Sequence, residues 1–136
     1  MDRRQARAMM ERLERDAARI ARRFELRYSA IEAERPNVKR RYGLCTSDGM
    51  IKIRLGHAGT GKPLKYSSLV NTLCHELAHL RHFNHGPRFR AFYLRLLAWA
   101  RAEGIYQPGA VPAPVASPPP PRLRVTRVGP VQLDLF

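Results

Sequence analysis

The feature that most limits what this chain can fold into is the stretch His75 to Phe89, HELAHLRHFNHGPRF. It holds H-E-x-x-H as His75, Glu76, Leu77, Ala78 and His79, with a further histidine, His85, six residues on. Histidines at i and i+4 stand one turn apart on one helix face, so both rings can reach a single ion. A catalytic zinc takes three protein ligands and keeps one position for water. Glu76 follows the first histidine and is suited to act as general base toward that water. His82 shares the face of His75 and His79, but on a straight helix it lies roughly 10 Å along the axis from His75. Three ligands so strung out do not close around one ion. Asn84, Gly86 and Pro87 signal the end of the helix, and a histidine past that end can turn back. His75, His79 and His85 are therefore the expected metal ligands, and His82 is expected behind them or in solvent. Val70, Leu73, Leu77 and Leu80 give the helix an apolar face, with Cys74 on that side and Ser67 or Ser68 as its cap, and the spacing carries it to about His82.

The elements around this helix follow from periodicity. Ala6, Met9, Met10, Leu13, Ala17, Ile20 and Phe24 recur at helical spacing over 2–24, and eight arginines fill the other faces. That arginine face suits either a phosphate backbone or solvent. Residues 25–33 turn toward alternation and predict a strand. After the Pro36-Asn37 turn, VKRRYGLC predicts a second strand, Ser47-Asp48-Gly49 a tight turn, and 50–55 a third strand. The three are expected to form a small antiparallel sheet. Pro87 opens a last helix that ends near Gly104, with Phe89, Phe92, Tyr93, Leu96, Leu97 and Trp99 on its buried side. Beyond it Pro108, Pro112, Pro114 and the run 118–121 exclude helix or sheet interior, so 105–131 reads as a disordered, proline-rich linker. The last five residues are Gln132, Leu133, Asp134, Leu135 and Phe136.

Charge and cysteine usage narrow the setting. Lys and Arg number 25 against 11 Asp and Glu, a net charge of +14, which points to a polyanion, most often nucleic acid. No apolar run is long enough to span a bilayer, the N-terminus lacks the apolar core of a signal peptide, and Asp2, Glu11, Glu14 and Asp16 are unlike a mitochondrial presequence. Cys45 and Cys74, the two cysteines, imply neither a disulfide framework nor a cysteine zinc site. The expected location is the cytoplasm, in association with the nucleoid, with no membrane partner.

Arg41-Tyr42-Gly43-Leu44-Cys45, the strand over 50–55 and HELAHLRHFNHGPRF resemble the SprT-like and YgjP-like zinc metallopeptidases, which carry an R-x-G-x-C segment, a hairpin strand and then H-E-x-x-H with a third histidine before G-P-x-F or S-x-x-F. The likeness covers roughly residues 38 to 100. It implies that His75, His79 and His85 bind one Zn2+, that Glu76 is the catalytic base, and that the fold is α+β, a minimal zincin-like domain over 1–104. It also implies an edge strand that holds an extended substrate, a role that would fall to 50–55. The histidine spacing is shared with metzincins, but their glycine between the second and third histidine is His82 here, and their downstream methionine turn is excluded because the last methionine is Met50. QLDLF resembles the pentapeptide by which bacterial proteins bind the DNA sliding clamp, with Gln132, Leu133, Leu135 and Phe136 at the key positions and Asp134 at the tolerant one. A glutamine and apolar anchors on a flexible tether suit such a motif, which makes the clamp an expected partner through 132–136.

Together these readings give a zinc-dependent metallopeptidase acting on DNA-associated proteins, DNA–protein crosslinks among them. Two others stay open at this level. The same water and base can hydrolyse a nucleotide phosphoanhydride, with Lys52, Arg54 and Arg88 as phosphate binders. A non-catalytic DNA- and clamp-binding module with a structural zinc is the other, although such a module has no need of Glu76. Tyr66, Arg88 and Tyr106 are candidates to stabilise an oxyanion.

Overall fold

The computed structural model describes residues 1–35 and 41–109. The linker beyond 109 and the clamp-motif residues 132–136 lie outside the described residues, as do 36–40 of the expected second strand. Six elements follow one another: α1 (Arg3–Phe24), β1 (Ala30–Ala33), β2 (Gly43–Cys45), β3 (Met50–Ile53), α2 (Tyr66–His79) and α3 (Pro87–Ala102). The expected α+β plan is the one found. Among the described residues no helix is long and apolar enough to cross a membrane.

Each helix begins and ends for a local reason. Asp2 caps α1: its carboxylate accepts the Gln5 N–H at 2.8 Å while the Gln5 side chain accepts the Asp2 N–H at 3.1 Å, which satisfies two of the end donors reciprocally. The helix buries Leu13, Ala17, Ile20 and Phe24 and leaves its arginines exposed. It stops at Glu25, which takes the left-handed conformation (φ 56°) and returns its N–H to the last turn. Helix α2 starts at Lys65 without a side-chain cap, so neither Ser67 nor Ser68 has the capping role expected of it. It ends at His79, one turn earlier than its apolar spacing suggested. Pro87 opens α3 behind Gly86. After α3, Gly104 (φ 76°) turns the chain so that the Ile105 N–H reaches Ala100 O at 2.8 Å, and Ile105 is buried. Core packing thus runs past 104.

The sheet departs from expectation in two linked respects. Its order is β1-β3-β2, with β2 antiparallel to β3 but β1 parallel to it, Ala30 opposite Met50 and Ala33 opposite Ile53. The sheet is therefore mixed, not all antiparallel. After β1 the chain crosses to the far edge before β2 begins, and the hairpin at Gly49 (φ 91°) folds β3 back into the slot left between them. As a result 50–55 is not the edge strand. β3 is central, and the edge beside α2 is β2. Tertiary order decided this, since hairpin periodicity fixes only the β2–β3 pair.

Helix α2 lies in the middle of the molecule, packed on α1, α3, β2 and β3. Leu69, Val70, Leu73, Cys74, Leu77 and Ala78 are buried with Ile51 and Ile53 of the sheet and Phe92 and Leu96 of α3. A helix covered on nearly all sides is one that reads as apolar nearly all round. The sheet's edges are joined by a buried charge. Glu34 extends β1 through its N–H to Ile53 O (2.8 Å), and its side chain is 2% exposed. Arg41 Nε and Nη2 donate to its Oε2 at 2.9 and 2.8 Å, and Arg54 Nε donates to Arg41 O at 3.0 Å.

Burial alone would raise the Glu34 pKa, but the hydrogen bonds from the Arg41 side chain and the Arg35 N–H, with the charges of Arg41 and Lys52, bring it below the ordinary value. A carboxyl held lower in the folded chain than in the unfolded one stabilises the fold fully above its unfolded pKa, about 4.3. That stabilisation is lost as pH falls through the folded value. Glu34→Gln is expected to cost about 1–3 kcal/mol at neutral pH and to flatten the acid side of the stability–pH curve below pH ~4, measured by urea unfolding across pH.

Candidate metal centre

Three imidazoles converge where α2 ends and α3 begins. His75 and His79 come from the last turn of α2, and His85 returns from the connection just before Pro87. Their ligand nitrogens lie within 4.8 Å of one another. His79 Nε2 faces His75 Nε2 at 3.3 Å and His85 Nε2 at 3.0 Å. A tetrahedral ion with Zn–N bonds of about 2.0–2.1 Å needs nitrogens roughly 3.3 Å apart, so the observed spacing fits such an ion. The tautomer of His79 fits as well. Its Nδ1 stands 3.0 Å from His82 O; a carbonyl only accepts, so the proton is on Nδ1 and Nε2 presents a bare lone pair. Burial and the neighbouring His79 and His85 push the His75 pKa down to about 3. Burial likewise lowers that of His79 against the His82 hydrogen bond. Neutral imidazoles are the form in which histidine takes a metal.

His82 therefore contributes its backbone carbonyl, and the end of α2 at His79 is what frees His85 to swing back. Phe89, in the first turn of α3, lies against all three rings. It stacks on His79 (centroids 4.4 Å) and stands edge-on to His75 (4.9 Å) and His85 (5.0 Å). Periodicity placed Phe89 on a buried helix face; its role as the floor of the histidine cluster comes from the meeting of α2 and α3.

The cluster opens into a cleft of about 260 Å³ lined by Glu76, Phe83, Arg41 and the strand β2. Glu76 is 2% exposed. Burial pushes its carboxyl up to about 8, against the pull of the Arg41 charge, and a cation beside it would draw it back toward the ionised form. It fits under β2 because residue 43 is glycine. A Cβ there would stand 2.6 Å from Thr72 Cγ2 and 2.8 Å from Glu76 Oε2, a close approach that only glycine allows. Cys45 also lines the cleft; burial, with Glu76 and Asp48, raises its thiol to about 11, which keeps it protonated and weak as a nucleophile.

The other candidates lie elsewhere. Tyr66 begins α2, far from the histidine end of that helix, and its hydroxyl donates to Asp16 at 2.7 Å under the Arg12 guanidinium. Arg88 lines a separate outer cavity with His82 and Phe83. Neither these two nor Tyr106, Lys52 or Arg54 lines the cleft. Among the described residues the cation lining the cleft is Arg41, which the R-x-G-x-C segment contained but which no spacing argument singled out.

The model of the WLM domain matches residues 1–113. The chain belongs to the WLM domain family. Among solved structures, this WLM domain is similar to Wss1 from Saccharomyces cerevisiae, at TM-score 0.69 and 17% identity over 76% of this chain and 84% of that one. It is equally similar to a Wss1 mutant, at TM-score 0.69 and 16% identity over 77% and 87%. At that identity the likeness shows the fold, which is zincin-like. No curated protein matches the chain. The motif had pointed to SprT-like and YgjP-like peptidases; the match gives WLM, and the zincin-like fold is common to both readings.

The contrast between two neighbouring histidines tests the geometry. His85→Ala is expected to weaken zinc binding by at least about 100-fold, since loss of mere supporting groups already costs 10–100-fold. His82→Ala, which keeps the carbonyl, is expected to change it less than about threefold. Chelator competition followed by metal analysis reads both.

Proposed function

We propose that this WLM domain is a zinc-dependent metallopeptidase acting on proteins attached to DNA, DNA–protein crosslinks among them. The observation that carries the reading is the convergence of His75, His79 and His85 beside the buried Glu76, in a cleft walled by an edge strand. WLM membership and the Wss1-like fold support it, as does the net charge of +14. The likeness to SprT-like and YgjP-like enzymes supports the same plan of ligands and base.

One zinc ion held by the three histidines would supply a Lewis acid that polarises the scissile carbonyl and acidifies water. Glu76 takes a proton from the attacking water and delivers it to the leaving amine. Among the described residues β2 pairs with a strand on one side only. Its outer edge can therefore take an extended peptide as an added strand, the role expected of 50–55 and now moved to Gly43–Cys45. Arg41 stands at the cleft with its guanidinium fixed from behind by Glu34. Two of its nitrogens serve that carboxylate, and its remaining N–H groups are available to a substrate carbonyl. Arg41, not Tyr66, Arg88 or Tyr106, is the residue we assign to that contact.

Beyond the folded residues, whose core takes in Ile105, the proline-rich stretch up to 131 acts as a spacer and Gln132, Leu133, Asp134, Leu135 and Phe136 bind the bacterial DNA sliding clamp, which brings the peptidase to the cytoplasmic nucleoid. No structural observation favours the phosphoanhydride reading, because Lys52, Arg54 and Arg88 are not on the cleft wall. A structural zinc does not call for a buried carboxylate at its side.

Glu76→Gln is expected to keep its zinc and to cleave a DNA-bound protein at least about 100-fold more slowly, the usual range for loss of a general base. Equal cleavage by both forms, or none by zinc-loaded wild type, would sink the peptidase reading. Separately, immobilised sliding clamp is expected to retain the full chain and to lose it when 132–136 are removed; equal retention would remove the tether and leave the peptidase untouched.

A further inference from the structure

Three arginines, from α1, α3 and the connection between α2 and α3, meet over one aromatic pair. Phe24, at the end of α1, and Phe92 of α3 pack edge-to-face with centroids 5.9 Å apart. The Arg23 guanidinium lies 5.0 Å from the Phe24 ring, that of Arg81 4.5 Å from Phe92, and that of Arg95 5.5 and 5.9 Å from Phe24 and Phe92. Arg81 is further fixed by donating to Phe24 O at 2.8 Å. All three are exposed, and among the described residues none forms an ion pair. Like charges gathered on one spot repel unless something of opposite sign is shared among them. Among the described residues ion pairs are formed instead by Arg19, with Asp16 and Glu103, and by Arg41, with Glu34. Here the guanidiniums are laid on ring faces, which restricts their motion and leaves their N–H edges to solvent.

The patch is coupled to the metal centre by position. Arg81 lies two residues past His79. The next residue, His82, stands edge-on to Phe92 (5.8 Å) through its ring and accepts from His79 Nδ1 through its carbonyl. One short connection therefore carries both an arginine of the patch, Arg81, and the support of the His79 ring.

We propose that Arg23, Arg81 and Arg95 form a phosphate-binding site that seats the backbone of the DNA carrying the substrate protein. Planar guanidiniums with exposed N–H edges match phosphodiester oxygens bidentately, and three such contacts suit a polymer that presents a phosphate at every nucleotide. Contacts to phosphate oxygens carry no sequence information, so the site binds without sequence preference. It rests on the DNA-associated reading above and says where that DNA lies: beside the α2–α3 connection, so that a protein attached to it hangs at the cleft.

The test is fluorescence anisotropy of the full, zinc-loaded chain with a labelled single-stranded DNA oligonucleotide, across a potassium chloride series. The combined variant Arg23→Gln, Arg81→Gln, Arg95→Gln is expected to bind at least about tenfold more weakly near 0.1 M salt. Its slope of log affinity against log salt should fall by about 2, since each lost phosphate contact removes about 0.7. Replacing the same three by Lys should restore most of the slope. Zinc content and thermal melting check the fold. Should the combined variant not fold, Arg95→Gln alone, which removes no hydrogen bond seen in the structure, should lower the slope by about 0.7. A combined variant with wild-type affinity and slope, alongside a loss in Arg3→Gln, Arg4→Gln, Arg7→Gln on α1, overturns the patch and leaves DNA association standing. A wild-type chain that ignores the oligonucleotide but binds phosphatidylserine vesicles overturns both.

Discussion

The structure depends on burying a helix that carries a polar, ionisable pair. His75 and Glu76 sit in the last turn of α2, at 0% and 2% exposure, among Leu73, Cys74 and Leu77. Burial strips both of all but the water that enters the cleft, so the fold has to be shaped around them. Helix α3 supplies the aromatic floor, β2 supplies a glycine that lets the carboxylate lie close, and the connection between α2 and α3 supplies the remaining imidazole. The small sheet and α1 then complete the cover. The site is what the core is packed around, rather than an addition to its surface.

That arrangement explains why the local exceptions fall where they do. Gly43 is a glycine because Thr72 and Glu76 occupy the space of a side chain. Helix α2 ends at His79 although Leu80 and His82 continue its spacing, because the His82 carbonyl turns inward to hold the His79 ring. Glu34 is buried because it fixes Arg41 at the mouth of the cleft while joining the two sheet edges across β3. Each gives up some local preference, and each acts on the same few ångströms of the cleft.

Much of this was legible in the chain itself. The i, i+4 histidines, the long gap to His82 and the stop signals at Gly86-Pro87 selected His85, and the structure brings those three rings together. The three helices were readable from their periods to within a few residues. The strand partners were not. A two-residue period says which face is buried but not which neighbour lies on either side, so the parallel β1–β3 pair and the central place of β3 could not be seen in it. For the same reason 50–55 was expected at an edge, whereas β3 lies in the middle of the sheet. Arg41, Phe89 and the grouping of Arg23, Arg81 and Arg95 were equally out of reach, because each depends on residues brought together from distant parts of the chain.

The sequence by itself determined the grouping of His75, His79 and His85, the place of Glu76 next to them on α2 and the helical frame, since these follow from spacing along one helix and its end, where covalent geometry fixes distance. Only the tertiary structure decided the strand order, the cation at the cleft and the arginines over Phe24 and Phe92. Those are relations between segments, set by how α1, α3 and the sheet close over α2 to remove its apolar surface from water.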